Sequence, residues 1–243
     1  MTNTNQNKTF RVREGFPGQS TKLTVDHLGR NLITFVHPSY GRDTYANVGL
    51  QIEQADLIRP TMSQITSLAH ASCNTNYPIE GRLTTEEERQ ERYAKEIKQM
   101  MWDALNLGFT GSHYVPNKGA YIQDDPQIRN GMPFMEESEL VRKLEANDPS
   151  VRFVPFGFRV GKMTPAQLAE NEYIRGLVGD EGAEKLAEMA SKHRNDPVLY
   201  SFESVNEPST RVSALRFDSF IGNLVVNGAA PGDFKYFCSY GVL

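Results

Sequence analysis

The sequence predicts an α+β fold in which short strands from the N- and C-terminal parts pack with about five helices from the middle of the chain. Three observations carry that expectation. Near the N-terminus Phe10, Val12, Leu23 and Val25 alternate with polar residues. From residue 60 to residue 194 apolar residues recur at helical spacing behind recognisable start signals. After residue 197 strand-like runs return, separated by turn residues.

Residues 1–8 (MTNTNQNK) are polar and read as a disordered tail, leaving 9–243 as one α+β domain. Two short strands come first, joined across Gly15-Phe16-Pro17-Gly18. Asn31 to Val36 (NLITFV) is a denser apolar strand, which His37-Pro38-Ser39-Tyr40-Gly41 is expected to end. Tyr45, Val48, Gly49 and Ile52 then fall at i, i+3, i+4, i+7 behind Asp43 as N-cap, the pattern of a short helix. Pro60 is placed as a first helical residue, followed by a face of Met62, Ile65, Leu68, Ala69 and Cys73.

The strongest local signal spans residues 84–107. Thr85 and Glu88 form a capping pattern, three glutamates occupy the first turn, and Tyr93, Ile97, Met100, Met101, Ala104 and Leu105 make an apolar stripe that Gly108 should end. Residues 108–133, with four glycines and three prolines, read as a long irregular loop containing one short strand around Thr110–Val115. A helix over Glu136–Ala146 and a strand over Val151–Phe158 follow. Thr164-Pro165-Ala166-Gln167 is a capping box opening a helix through Leu177, and Asp180 caps another. The expected C-terminal strands are Val198–Phe202, Arg211–Phe217, Asn223–Val226 and Phe234–Tyr240, with Asn227-Gly228 as a turn. A β-rich C-terminal subdomain over 198–243 stays open as an alternative.

Composition narrows the function classes. Hydrophobic residues make up 39% and charged residues 23%, an ordinary globular balance. A net charge of −4 gives no general attraction to nucleic acid, so no nucleic-acid partner is expected. No apolar run reaches the length of a membrane span, and the polar start carries no apolar leader core, so no membrane association is expected. Two isolated cysteines, Cys73 and Cys238, make no framework. They fit a reducing compartment and a cytoplasmic location, with their pairing left open.

None of the common nucleotide-binding, zinc-protease or hydrolase signatures is complete. Five constellations could carry chemistry. His37-Pro38-Ser39-Tyr40-Gly41 differs from a nucleophile elbow only in its first residue. It makes Ser39 a candidate nucleophile with His37 and Asp43 nearby, against the plainer reading of a strand-ending turn. His70 and Cys73, one helical turn apart, are metal-ligand candidates, against the plainer reading of a core cysteine. His113, Tyr114, Asn117, Tyr121, Asp124 and Asp125 mix donors, acceptors and aromatic faces in the 108–133 segment, as a ligand-binding loop would. The charged run Glu86–Lys98 reads as a solvated helix face, with Trp102 beside its apolar stripe. The aromatic set Phe234, Tyr236, Phe237 and Tyr240 reads as a buried strand or as the seam of a homo-oligomer.

Two functions follow. One is a non-enzymatic ligand- or partner-binding, or structural, protein that uses the 108–133 loop and the C-terminal β segment. The other is a small-molecule hydrolase or metal-assisted enzyme built around His37, Ser39, Asp43, His70 and His113. These residues name no cofactor.

Overall fold

The computed structural model describes residues 10–15, 20–29, 31–75, 85–218 and 222–243. Among them are thirteen strands and six helices in a mixed α/β architecture. The tail at 1–8 and the predicted turn at 16–18 lie outside the described residues.

The N-terminal meander is β1 (Phe10–Arg13), β2 (Thr21–His27) and β3 (Asn31–Asp43). Helix α1 (Tyr45–Gln54) follows, then α2 (Met62–Asn74) and α3 (Thr85–Asp103). Strands β4 (Leu105–Val115) and β5 (Gly119–Asp124) form a hairpin, and β6 (Gln127–Arg129) and β7 (Met132–Phe134) a smaller one. Next come α4 (Glu137–Glu145), β8 (Val151–Pro155), β9 (Gly161–Lys162), α5 (Pro165–Glu170) and α6 (Glu172–Ser191). The chain closes with β10 (Val198–Tyr200), β11 (Ser209–Asp218), β12 (Asn223–Ala230) and β13 (Phe237–Val242).

Eleven strands form one sheet, in the order β1-β2-β3-β13-β4-β11-β12-β10-β9, with β5 and β8 branching from β4. Pairing is antiparallel except β13 with β4 and β10 with β12. One side of β4 is therefore shared: β13 pairs its start at Leu105 and Asn106, and β5 pairs Thr110 to Val115. The fork this leaves is filled by the segment between α1 and α2. Ile58 exchanges both backbone bonds with Val242 at 2.9 Å, and Phe109 N–H donates to Pro60 O at 2.7 Å. The connection thus satisfies backbone groups that the split would expose.

Alternation along the strands sends side chains to two cores. On one face Tyr114, Ile122, Leu215, Phe217, Leu224 and Val226 pack under α2, α3, α5 and α6. On the other, Leu107, Phe109, Val212, Ala214 and Phe237 pack under α1 with Tyr45, Val48 and Ile52. Val115 and Tyr121 meet Leu140 of α4 on that same face. Phe10, Val12, Leu23, Val25, Ile33 and Phe35 meet Ile65, Leu68, Tyr93 and Ile97 of α2 and α3.

Several sequence expectations need correction. Six helices, one of them α1, flank a sheet drawn from the whole chain, rather than about five central helices packing on terminal strands. The strands after 198 do not form a sheet of their own, because β13 inserts between β3 and β4. Strand β3 continues through His37–Gly41 to Asp43, held by β13 along its length. The cap of α1 is Thr44, not Asp43, and that of α2 is Thr61, with Pro60 just outside the helix. Helix α3 begins at Thr85 and stops at Asp103, so Gly108 lies inside a strand. The expected loop at 108–133 is two hairpins. Asn227-Gly228 lies within β12. One expected helix is split at Asn171, which caps α6 by accepting from Tyr173 and Ile174 N–H, while the expected break near Asp180 is a kink at Gly179.

One expected local signal is present as read. Thr164 and Gln167 form the expected capping box. Thr61 and Gln64 form a second, with Thr61 N–H donating to Gln64 Oε1 at 2.8 Å and Gln64 N–H to Thr61 Oγ1 at 3.3 Å. Thr61→Ala is expected to lower unfolding free energy by about 1 kcal/mol. A urea midpoint indistinguishable from the parent would contradict this role.

A candidate binding groove beside Arg59

The sequence-selected residues occupy separate places. His37 faces α3, its Nε2 3.1 Å from Glu96 Oε2 and its ring edge-on to Tyr93. Ser39 lies within β3 rather than at a strand-to-helix turn. Asp43 supports the start of α1, accepting from Thr44 N–H at 2.7 Å and Asn47 Nδ2 at 2.9 Å. Those bonds, that from Asn47 first, hold its carboxyl below the usual range. His70 Nε2 lies 2.8 Å from Glu188 Oε2 and 2.6 Å from Asn74 Nδ2. Cys73, one turn on, is half-buried and unpaired with Cys238, and burial pushes its thiol up. Among the described residues no three His, Cys, Asp or Glu side chains converge as metal ligands.

The hairpin residues divide by face. His113 and Tyr121 are direct cross-strand neighbours on the α4 side, and His113 Nδ1 lies 2.8 Å from Thr210 Oγ1. Tyr114, on the other face, is fully buried. Its hydroxyl donates to Gly228 O at 2.8 Å and lies 2.8 Å from Ser201 Oγ and 2.9 Å from Tyr173 Oη. Tyr173 Oη also lies 2.8 Å from Ser112 Oγ, so the network is closed. Asn117 holds the β4–β5 turn at φ 59°. Asp124 is bound by Arg152 and accepts from Thr110 Oγ1 at 2.8 Å, while Asp125 pairs with Arg59. The two carboxylates therefore serve different arginines and make no common metal site.

These pairings carry a pH signature. Burial is the first cause that lowers the pKa of His27, His37, His113 and His193, with Glu96 and Glu137 acting against it at His37 and His113. The unfolded chain therefore binds protons that the folded chain refuses. Stability is full above about pH 6.5 and falls as pH drops through that value toward the folded pKa values. His193 lies 4.5 Å from Phe217 and 5.9 Å from Trp102, ring centre to centre. Tm followed by Trp102 fluorescence is expected to be lower at about pH 5.5 than at about pH 7.5, with a shallower decline in His193→Phe. A Tm that holds or rises over that interval would contradict it.

The most developed charged constellation lies at the fork. Arg59 precedes Pro60, and its guanidinium is largely buried. It lies 2.7 Å from Asp125 Oδ1 and 3.4 Å from Glu53 Oε1, and sits 5.4 Å above the Phe109 ring. Burial raises the Asp125 carboxyl, and the Arg59 charge opposes that shift. The Tyr45 hydroxyl, buried with its ring against Phe109, has no hydrogen-bond partner among the described residues. Burial raises its pKa, so it stays a neutral phenol.

Above Arg59 runs a groove of about 500 Å³ between α1 and the β6–β7 hairpin, lined also by Asn47, Leu50, Gln127, Ile128 and Arg129. Arg129 stacks 3.7 Å over the Phe134 ring, and its Nη2 donates to Gln127 Oε1 at 3.0 Å. The groove has the paired Arg59 guanidinium as its floor, amide side chains on both walls and apolar surface at Leu50 and Ile128. Leu50 is half exposed.

The 108–133 segment contributes one wall of this groove through Gln127–Arg129, and of the six residues selected from sequence only Asp125 takes part, by holding Arg59. Arg59 and Glu53 escaped the sequence reading because Asp125 is far away in the chain, and no local pattern marks an arginine before a proline as buried. Comparison with protein-family models, curated proteins and solved structures finds no match for this chain.

Proposed function

We propose that this is a ligand-binding protein whose recognition site is the groove between α1 and the β6–β7 hairpin. The observation that carries the reading is the held Arg59 floor beneath an open, mixed-polarity trough. Binding sites combine apolar surface with a few polar groups whose positions are fixed. Arg59 is fixed by two carboxylates and an aromatic face, so presenting it costs little ordering entropy. The charges of Arg59 and Arg129 are balanced by Glu53 and Asp125. The groove therefore suits a small ligand without net charge, its apolar part on Leu50 and Ile128 and its acceptors toward Asn47, Gln127 and the arginines.

The enzyme reading around His37, Ser39, Asp43, His70 and His113 has less support, because each of these side chains except Ser39 has its own local partner. No helix among the described residues is long and apolar enough to cross a membrane.

A screen of neutral amphipathic fragments by amide-resolved NMR tests the proposal. Binders should shift the amides of Asn47, Leu50, Gln127 and Ile128, and Leu50→Glu should weaken them tenfold or more while leaving Tm within a degree or two. Fragments that bind elsewhere, or bind equally well to Leu50→Glu, would overturn it.

A further inference from the structure

A second surface, distinct from the groove, lies on the N-terminal meander. The inward side chains of β1, β2 and β3 are taken up by α2 and α3. Their outward side chains include Arg11, Arg13, Lys22, Thr24, Asp26, Leu32 and Thr34. A trough of about 590 Å³ runs along this face, reaching Ile58 and Leu243. Leu32, Ile58 and Leu243 are 52%, 60% and 56% exposed and line this trough together with Arg13 and Lys22.

The register makes the charge unusual. Arg13 stands directly opposite Lys22, and Arg11 opposite Thr24, whose hydroxyl is bonded to Thr34 Oγ1 at 2.9 Å. Like charges directly opposite on a sheet are destabilising. Arg11, Arg13 and Lys22 are exposed, and none has a carboxylate partner among the described residues. By contrast, Arg89 and Arg92 on α3 both pair with Glu14. The one acid on the outward face, Asp26, stands at the far end of the row and has a partner of its own. His27, at the edge, bonds to Ser67. A net-acidic chain thus keeps three cations unpaired on one sheet face beside exposed apolar side chains.

We propose that this face docks a segment of a partner protein that carries carboxylates and apolar side chains together. Its acids would pair with Arg11, Arg13 and Lys22, and its apolar side chains would cover Leu32, Ile58 and Leu243. Charge complementarity selects an acidic occupant. The apolar strip selects a polypeptide over a nucleic acid, since the described outward residues of this meander include no aromatic ring on which a base could stack.

Fluorescence anisotropy of the full chain with a labelled peptide of alternating Glu and Leu tests this, with a labelled oligothymidylate of equal charge as competitor. Saturable binding is expected, weakened tenfold or more by Lys22→Glu and separately by Leu32→Ser. Lys22→Glu converts an opposed like-charge pair into an attractive one, so it should raise Tm while losing the peptide. Loss of binding with a gain in stability separates docking from damage to the fold. No peptide binding would overturn the proposal. So would binding indifferent to both variants, or an oligothymidylate that binds as tightly and ignores Leu32→Ser.

Discussion

Gly108→Val should be among the most damaging single substitutions in this chain, costing about 3 kcal/mol or more of unfolding free energy. A Cβ at Gly108 would lie 2.4 Å from Met62 Cα and 2.6 Å from Met62 N, against backbone rather than a flexible side chain. The backbone there has little freedom to retreat. Met62 N–H donates to Thr110 Oγ1 at 3.0 Å, and Pro60 O accepts from Phe109 N–H. Relief would require the start of α2 to lift from β4, opening the fork that the 57–61 segment fills. Equilibrium urea unfolding, followed by far-UV circular dichroism and Trp102 fluorescence, reads the effect. A variant within about 1 kcal/mol of the parent would show that α2 can shift without loss, and that this contact is not a constraint on the fold.

Tyr173→Leu is the second, with an expected loss of about 4 kcal/mol. The ring is fully buried, stacked against Tyr114 with centroids 6.2 Å apart and tilted against Phe158 at 4.9 Å. Its hydroxyl is the hub that joins Ser112, Tyr114 and Gly228 O. Leucine removes aromatic packing and leaves Ser112 Oγ without its buried partner. Tyr173→Phe separates the two contributions: it keeps the packing and should cost only about 1–3 kcal/mol, the range for an unmade buried hydrogen bond. Gly228 O would retain Tyr114 as donor in both variants. If Tyr173→Phe proved as costly as Tyr173→Leu, the network rather than the packing would dominate. If both were neutral, the closed network would contribute nothing.

Helix α1 and Gly108 show where sequence reading succeeds and fails. The stripe of Tyr45, Val48, Gly49 and Ile52 became α1 with all four residues buried, because a helix face is set by residues within two turns. The Thr164 capping box formed for the same reason. Gly108 was misread because a glycine after an apolar helical stripe resembles a helix stop. Its actual cause, the approach of α2, involves a residue 46 positions earlier. The glycines and prolines of 108–133 suggested irregular loop, yet two of the glycines sit in β4 and the rest of the segment is hairpins. Trp102, read as lying beside the apolar stripe of α3, is half-buried against Phe217. The C-terminal aromatics were legible only in part. Phe237 and Tyr240 are buried in β13, which lies between β3 and β4, while Phe234 and Tyr236 are exposed in the preceding turn.

The candidate groove was less legible than the fold. The sequence selected side chains by their own chemistry, and the structure gives most of them separate structural partners: Asp43 in a cap, Asp124 with Arg152, and Tyr114 in a buried network. What it assembles into a groove, Arg59 over Phe109 with Glu53 and Asp125, comes from four separated segments. By itself the sequence determined most of the helices, the Thr164 capping box and the apolar stripe of α1, since each depends on neighbours within a few residues. Only the tertiary structure decided the strand order, the fork at β4, which glycines mark close approach and which charges pair. Those depend on contacts between residues tens to hundreds of positions apart, and nothing in local spacing encodes them.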